Sequence, residues 1–398
     1  MVYAADLKSA GFTVMRVRVS PAALEKTNIA MGITAFLVVV QSIITFVHWI
    51  VWRVLDTYWP LAGQPRSVVL AVIFTLSFSF LVSNILTRFI PGVVTRTLYS
   101  YAAMWLGTVH LLFLAAVLLS IVSFTAGSFN GLVSPWVALI FFMSALGFNG
   151  FALWNGFQVH PKHFPVALPN LPDQWIGKKI AFFADTHFGN IHREQTAQDI
   201  AHLLEAENPA LILMGGDYFD GPPIPADLVT RPFKALTSHI PTYFVSGNHE
   251  EYGDTVGFLQ SLEAAGFRVI NDKRVVENGL QIVGLDFLTT RTPEATEMVM
   301  MHLMVNRDLP TIVLKHVPRN IKQLVDGGAD LTLHGHTHEG QMWPFSWVTW
   351  FVYNGYDFGL KPYRDSFVYT TSGAGSWGPP QRFGTAAEVV FFTLERKQ

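Results

Sequence analysis

Residues 243–252, Tyr-Phe-Val-Ser-Gly-Asn-His-Glu-Glu-Tyr, join a short apolar run to a glycine and a cluster of polar side chains. The apolar run at 243–245 has the composition of a buried strand. Four similar runs lie at 180–184, 211–214, 312–314 and 331–333. They are followed by Asp185-Thr186-His187, Gly216-Asp217, His316 and His336-Thr337-His338. Side chains at the carboxyl ends of strands in an α/β sheet converge on one crevice, so the sequence predicts a single site there.

Strand-like and helix-like runs alternate through the rest of the C-terminal half. Residues 195–207 and 254–265 have the apolar spacing of amphipathic helices, and each follows one of the strand ends. Further strand-like runs lie at 281–285, 367–371 and 388–394. This alternation predicts an α/β domain, and the density of strands near the C-terminus predicts a mixed sheet or a second sheet.

The N-terminal half has the composition of a membrane domain. Hydrophobic residues make up 50% of the chain and charged residues only 14%, against about a quarter in soluble domains. Four apolar stretches, at roughly 29–51, 68–89, 99–124 and 132–157, reach the length that a helix needs to cross a bilayer. We therefore predict an N-terminal segment at 1–27, four transmembrane helices at 28–158, a proline-rich linker at 159–177 and a catalytic domain at 178–398. A large buried helical domain is the alternative interpretation of the apolar stretches.

The distribution of lysine and arginine predicts how the spans are oriented. Four of these residues precede the first span, two lie in the second loop and three follow the fourth span, against two in the first loop and none in the third. Because positive residues favour the cytoplasmic side, we expect an inner-membrane, multi-pass protein whose catalytic half faces the cytoplasm. His48 and His110 lie within spans, and we interpret each as a neutral imidazole bonded to a neighbouring helix rather than as part of a transport path.

The polar residues at the strand ends have the chemistry of a metal pair. Two divalent ions about 3.5–4 Å apart need one short anionic bridge, for which Asp217 is the best candidate. Asp185 and His187 are two residues apart on an extended backbone and can hold one ion together. His336 and His338 have the same spacing, but they could serve different ions if the chain turns at Gly335. Oxygen and imidazole ligands suit Mn, Fe, Zn or Co better than Ca.

These motifs, in their order and spacing, resemble those of the calcineurin-like metallophosphoesterase superfamily. Its bacterial membrane-associated branch is more similar still, since there Gly-Asn-His-Glu is followed by tyrosine and the last motif reads Gly-His-Thr-His-x-Gly-Gln, as at 247–252 and 335–341. The resemblance covers residues 178–394. It implies a four-layer sandwich in which two mixed sheets are flanked by helices, so the whole chain would be a four-helix transmembrane domain followed by this α/β sandwich.

The resemblance also implies roles for eight residues. One ion would be bound by Asp185, His187, Asp217 and His338, and the other by Asp217, Asn248, His316 and His336. His249 would be the catalytic residue that contacts the phosphate and protonates or steadies the leaving oxygen. The nucleophile would be a hydroxide held between two divalent ions, with manganese favoured. The family usually has serine where this chain has Ala184, a change that leaves the ligands intact.

Several other residues are interpreted outside the site. Arg382 could reach a substrate phosphate, or could be solvent-exposed or structural. The methionines at 298–304 have helical spacing and are expected in the core. Seven histidines lack a comparable context and are left out of the site: His160, His163, His192, His202, His239, His302 and His334.

The segment just past the last motif is the best indicator of the substrate. Residues 340–364 contain nine aromatic side chains against three charges. Such a segment could be a wall for acyl chains at the membrane interface, or an insertion that packs against the sandwich or the spans. We therefore expect a partner bilayer and hydrolysis of a phosphoester or pyrophosphate bond in a lipid-linked substrate. One alternative is a membrane-anchored phosphodiesterase of soluble nucleotides, and another is a transport or scaffold protein with an inactive phosphoesterase-like domain.

Composition excludes other classes. A net charge of −2 without a basic cluster argues against a nucleic-acid partner. Since the chain has no cysteine, it can form neither a disulfide nor a thiolate metal site.

Overall fold

The computed structural model describes residues 21–128, 133–221 and 224–397. Four long helices come first: α1 (Pro21–Tyr58), α2 (Gly63–Phe89), α3 (Val93–Ser128) and α4 (Pro135–Gly156). The parts long and apolar enough to cross a membrane are Leu37–Tyr58, Gly63–Phe89, Val93–Gly127 and Pro135–Gly156. The prediction of four such helices is confirmed. The expected N-terminal segment at 1–27 lies largely outside the described residues, and α1 already includes its last part.

The C-terminal half alternates short strands and helices. The strands are β1 (Val159–Leu168), β2 (Lys179–Phe183), β3 (Leu211–Met214), β4 (Thr242–Phe244), β5 (Arg268–Val269), β6 (Lys273–Glu277), β7 (Leu280–Leu285), β8 (Thr311–Lys315), β9 (Leu331–His334), β10 (Gly359–Tyr363), β11 (Ser366–Thr370) and β12 (Ala387–Arg396). The helices are α5 (Glu194–Glu207), α6 (Ala226–Thr230), α7 (Lys234–Thr237), α8 (Thr255–Ala264), α9 (Pro293–His302), α10 (Ile321–Asp326) and α11 (Phe345–Val352). The strands that were predicted from sequence all form, with ends within two residues of those expected.

These elements build two mixed six-stranded sheets. The first has the order β1-β12-β2-β3-β4-β5, in which β2, β3, β4 and β5 run parallel and β12 is antiparallel to β2. The second has the order β10-β11-β9-β8-β7-β6, with a parallel centre between two antiparallel hairpins. The parallel strands of both sheets bring their carboxyl ends to a shared edge, and the predicted polar residues follow those ends.

The two sheets stack as the inner layers of a sandwich. Alternate residues of the central strands, such as Phe182 and Leu314, fill an apolar core between the sheets. The opposite face of the first sheet packs on α5 and α8 through residues such as Phe183 and Leu262. The outer face of the second sheet packs on α9 and α10 around Val313. The predicted α/β sandwich with two mixed sheets and helices outside is therefore confirmed.

The expected linker at 159–177 is wrong over most of its length. Residues Val159–Leu168 form β1, which pairs in parallel with β12 along its whole length. Its Pro161 and Pro165 suggested an irregular connection, but β1 is an edge strand, where a missing backbone N–H costs no ladder hydrogen bond. Phe164 packs its ring against Tyr369 of the second sheet. The chain therefore enters the first sheet almost directly from α4.

The catalytic half is held against the membrane helices by polar contacts as well as apolar ones. Asn155 Nδ2, near the end of α4, donates to the carbonyl oxygens of Arg382 (3.0 Å) and Thr385 (2.8 Å). Gln381 Nε2 donates to the carbonyl oxygen of Met104 in α3 at 2.7 Å. Met342 packs into the apolar cluster of the membrane helices. These contacts fix the orientation of the catalytic half on the helices.

The two histidines of the candidate spans have different partners. Trp105 Nε1 of α3 donates to His48 Nε2 at 2.9 Å, which confirms the expected bond to a neighbouring helix. The Nε2 atom of His110 instead lies 2.9 Å from the carbonyl oxygen of Trp343, in the catalytic half. The ring of His110 also stacks on that of Phe345 at the start of α11.

The prediction that the methionines at 298–304 pack in the core is wrong for three of the four. Met300 is buried against the second sheet, whereas Met298, Met301 and Met304 are exposed. Only one face of α9 packs inward, which leaves Met298 and Met301 on its outer face, and Met304 follows the end of the helix.

Candidate metal centre

The predicted site residues come together at the shared edge of the two sheets. Their side chains form three groups of three residues. Within a group each residue offers one ligand atom, and these three atoms lie within 4.8 Å of one another. The groups are Asp185, His187 and His338; His187, Asp217 and His249; and Asp217, His316 and His336. Asn248 joins the same cavity. All of these residues are buried except His336, which is partly buried. The eight residues chosen from sequence thus form one cluster.

Adjacent ligand atoms in this cluster face each other at short range. His187 Nε2 lies 3.0 Å from His338 Nε2, and His316 Nε2 lies 3.0 Å from Asp217 Oδ2. The same carboxylate oxygen of Asp217 is 3.9 Å from His187 Nε2. Asp217 is therefore near imidazoles from both parts of the cluster. Asn248 Oδ1 is buried and accepts no hydrogen bond within the described parts of the chain.

The backbone at these positions is unusual. Five of the seven predicted ligands have a positive φ: Asp185 (54°), His187 (46°), Asp217 (53°), His336 (73°) and His338 (51°). Residues other than glycine rarely occupy this left-handed region, and each such residue costs on the order of 1–3 kcal/mol. Strain of this kind persists where the surrounding structure over-determines it, which is typical of functional sites.

Neighbouring backbone groups hold the two carboxylates in place. The amide of His336 donates to both carboxylate oxygens of Asp185 at 2.9 Å, and the amide of His249 donates to Asp217 Oδ1 at 2.8 Å. The close approach of the loops also explains why residue 247 is a glycine, because a Cβ there would lie 2.1 Å from Asp217 Oδ1. The loops after β2, β3, β4 and β9 are thus tied together through their acidic residues.

Glu250 is a residue to which the sequence assigned no role. Its buried carboxylate accepts hydrogen bonds from the backbone amides of Asp217, Tyr218, Phe219 and Gly247, at 2.8–3.1 Å. Burial, together with the charge of Asp217, raises the pKa of Glu250 to about 7. Glu250 therefore fastens the loop after β4 to the loop after β3. It stands within the Gly-Asn-His-Glu motif, but nothing local in the sequence indicates its partners.

Asp220 is a second residue that the sequence analysis missed. Its Oδ1 atom lies 3.2 Å from His187 Nδ1 and 3.4 Å from His249 Nδ1. Burial would lower the pKa of His249, but the hydrogen bond to Asp220 and the charges of Asp217 and Asp220 outweigh it and raise that pKa to about 9. In the sequence, only its position three residues after Asp217 could have indicated that Asp220 belongs to the site.

The charges of the cluster are strongly coupled. Burial opposes ionisation of Asp217, yet the nearby His316 overrides it and lowers the pKa of this carboxyl well below its usual range. Burial likewise opposes protonation of His316, and the charge of Asp217 overrides it to raise the pKa to about 9. Burial raises the pKa of Asp185. Buried carboxylates that depend on nearby cationic groups form an environment suited to a metal cation.

A cavity of about 560 Å³ opens from the cluster. Its floor is polar, and its walls include Met342, Phe345, Trp377 and Pro379. Phe345 is the residue that stacks on His110 of α3. The cavity is therefore lined both by predicted ligands and by apolar side chains, one of which lies against α3.

Arg382 does not line this cavity, so its interpretation as a phosphate contact is wrong. The side chain is fully buried, and its guanidinium donates to the carbonyl oxygens of Ser372 (2.6 Å) and Gly375 (2.5 Å). Arg382 Nη2 also lies 3.4 Å from His338 Nδ1. The arginine is a structural support behind a predicted ligand.

The seven histidines left out of the site do not belong to the three metal-ligand groups. His192 is buried and lies 2.7 Å from the hydroxyl of Ser376. His334 is buried in β9, with Nδ1 2.6 Å from the carbonyl oxygen of Lys315. The other five are surface or partly exposed residues.

Comparisons with known proteins place the C-terminal half in a family. Residues 178–340 match the family model described as calcineurin-like phosphoesterase. A metallophosphoesterase of Aquifex aeolicus is 30% identical over 227 residues, which are 55% of this chain and 85% of that protein. Phosphodiesterase YaeI of Escherichia coli is 30% identical over 218 residues, 50% of this chain and 75% of that protein. A Danio rerio protein named transmembrane protein with metallophosphoesterase domain is 26% identical over 253 residues, 59% of this chain and 58% of that protein.

Proposed function

Because this chain belongs to the calcineurin-like phosphoesterase family and is a membrane protein, we propose that it hydrolyses a phosphoester or pyrophosphate bond of a lipid-linked substrate. The observation that carries this proposal is the cavity described above, in which a polar floor of predicted ligands meets an apolar wall beside α3. Its shape and lining match an amphiphile whose phosphate reaches the floor while its apolar part contacts the wall.

The family uses divalent metal ions, and the residues of this chain fit a pair of them. We assign Asp185, His187, Asp217 and His338 to one ion, and Asp217, Asn248, His316 and His336 to the other. Two observations support the assignment. The buried Oδ1 of Asn248 has no hydrogen-bond partner among the described residues, which a cation would supply. The Nε2 atoms of His187 and His338 lie 3.0 Å apart, close enough for one cation to bind both. A set of four imidazoles with carboxylate and amide oxygens suits Mn, Fe, Zn or Co, and we favour manganese.

The catalytic roles follow from the positions of the side chains. When bound, the two ions would supply positive charge for the phosphate oxygens and lower the pKa of the attacking water. Asp220 holds Nδ1 of His249, which leaves the other ring nitrogen available to give a proton to the leaving oxygen. Asp220 also holds Nδ1 of His187, so that the Nε2 lone pair of His187 is free for a metal.

The location of α11 supports a lipid-linked substrate. Most of its apolar side chains are exposed, among them Trp347, Trp350 and Phe351. The helix begins at Phe345, which contacts His110 halfway along α3. Since α3 is a candidate membrane span, α11 lies beside the region that lipid would occupy. The lysine and arginine bias favours the cytoplasmic leaflet of a bacterial inner membrane.

The proposal is tested with the full chain purified in detergent and loaded with Mn²⁺. We expect turnover of phospholipid diesters or polyprenyl pyrophosphates in mixed micelles, with Asp217→Asn as the inactive control. Turnover limited to soluble nucleotides would refute the lipid-linked substrate and leave the phosphoesterase assignment standing. If Asp217→Asn retained the wild-type rate on every substrate, the metal assignment would be wrong.

A further inference from the structure

A second cavity, of about 220 Å³, meets the first one at the predicted metal ligands. Asn248, Tyr252 and His336 line both cavities. The walls of the second cavity differ in character from those of the first, because they carry three cationic side chains: Arg291, Lys315 and Arg319. A substrate phosphate at the metal centre would therefore have an apolar cavity on one side and a basic cavity on the other.

The three cationic side chains of this basic cavity form no ion pair with a described residue. Within the parts of the chain that the structure describes, no carboxylate lies within 4.0 Å of the cationic nitrogens of Arg291, Lys315 or Arg319. The two arginines instead lie over aromatic rings, Arg291 over Phe287 at 5.9 Å and Arg319 over Tyr353 at 5.4 Å.

Lys315 makes this arrangement costly in the absence of a ligand. It is only 4% exposed, and its Nζ donates to the carbonyl oxygen of Val317 at 3.1 Å. An ammonium group removed from water is unfavourable unless an anion or several hydrogen bonds replace its hydration. Several arginines elsewhere in this half are paired with carboxylates, for example Arg364 with Asp326. A bound anion would compensate the three charges of the basic cavity.

We propose that the cavity formed by Arg291, Lys315 and Arg319 binds a second anionic group of the substrate, a phosphate on its polar arm. This inference rests on the proposed function and narrows it. The scissile group is then a diester or a pyrophosphate, with an apolar arm towards Phe345 and Trp377 and an anionic arm towards the two arginines. A simple phosphomonoester would leave the basic cavity empty.

The test compares two soluble chromogenic diesters that differ by one phosphate. They are nitrophenyl thymidine 5′-phosphate and the same ester with an additional 3′-phosphate, and release of nitrophenolate reports only on cleavage of the diester. With the full chain in detergent and Mn²⁺, the wild type should have a kcat/KM about tenfold higher for the phosphorylated ester, as one or two charge-assisted hydrogen bonds would give.

Variants that remove a positive charge show which residues cause the preference for the phosphorylated ester. Arg291→Gln, Arg319→Gln and the double variant should lose this preference, so that the ratio of the two kcat/KM values falls towards one. Arg274→Gln removes the same charge from β6, away from both cavities, and should keep the wild-type ratio. Both target arginines are exposed, so the single variants remain informative if the double variant unfolds.

The outcomes separate this inference from the function on which it rests. A wild-type ratio near one, or a ratio that survives the double substitution, overturns the basic subsite. If both diesters are cleaved with the expected ratio but no lipid is, the lipid-linked substrate is wrong and the subsite stands. If neither diester is cleaved, calorimetry compares the affinities for thymidine 3′,5′-bisphosphate and thymidine 5′-phosphate. Tighter binding of the bisphosphate that the double variant loses supports the subsite, and equal affinities overturn it.

Discussion

The Oδ1 atom of Asp220 lies 3.2 Å from Nδ1 of His187. It lies 3.4 Å from Nδ1 of His249 as well, so one carboxylate orients a proposed metal ligand and the proposed acid together. A carboxylate bonded to one nitrogen of an imidazole fixes which tautomer is present and which way the ring points. Asp220 does not line the cavity, so it would link the proposed metal site to the proposed acid from behind both imidazoles.

Replacing Asp220 with Asn should impair the site while the fold survives. A carboxamide cannot accept from both imidazoles as an anion does, so we expect kcat to fall by about 10–100-fold. The bound metal, measured by elemental analysis, should fall below two ions per chain. Asp227→Asn, an exposed residue paired with Lys234, is the matched control and should behave like the wild type. Full activity and metal content in Asp220→Asn would contradict this role.

His249 and Asp217 should respond differently to substitution. His249→Ala removes a proton donor but no proposed ligand, so kcat should fall by a factor of about 100 to 10,000 while both ions are retained. Asp217→Asn removes the proposed bridge, so activity and metal content should be lost together. Elemental analysis of the two purified variants checks this contrast, and loss of metal from His249→Ala would make it a ligand instead.

Helix α11 should insert into lipid. Because the chain has no cysteine, Phe351→Cys can be labelled with a single environment-sensitive fluorophore. Phe351 is 78% exposed and should report an apolar environment in nanodiscs, with quenching by spin-labelled lipids. The control is Met301→Cys on α9, which is 71% exposed on the outer layer of the sandwich and should remain unquenched. Equal absence of quenching at both positions would show that α11 stays in water.

The polar contact between Asn155 and the catalytic half should contribute to stability. Asn155→Ala leaves the buried carbonyl oxygens of Arg382 and Thr385 without this donor, which costs about 1–3 kcal/mol for each unsatisfied group. We expect a lower thermal unfolding midpoint in detergent. Gln195→Ala, which removes an exposed amide from α5, should leave that midpoint unchanged. An unchanged midpoint for Asn155→Ala would mean that water replaces the lost donor.

The sequence alone was sufficient to predict those site residues that are marked by the residues next to them in the chain. Each predicted ligand directly follows an apolar strand run, so Asp185, Asp217 and His316 could be identified without knowing which strands are neighbours. Long-range partners could not be identified in this way. The four backbone amides bound by Glu250, and the imidazoles bound by Asp220, meet only after the loops of separate strands converge.

Two other features depended on context that a single sequence does not contain. The prolines of β1 are typical of a linker, and they are accepted in a strand only because that strand forms the edge of the sheet. Arg382 had the chemistry of a phosphate ligand, yet the turn that contains it directs the guanidinium towards backbone carbonyls. For Arg382 tertiary packing decided between interpretations that had been left open, and for β1 it overturned the expected linker.

Only two residues separate the end of α4 at Gly156 from the start of β1 at Val159. A catalytic domain on a long tether could move through a volume of water and approach its membrane at many angles and heights. This chain has no such reach, since β1 is itself a strand of the first sheet and its neighbour α4 is bonded to the turn around Arg382. For a lipid-linked substrate, as we propose, encounter would then occur by diffusion within the plane of the membrane, and the rate should depend on the substrate's surface density rather than on its bulk concentration.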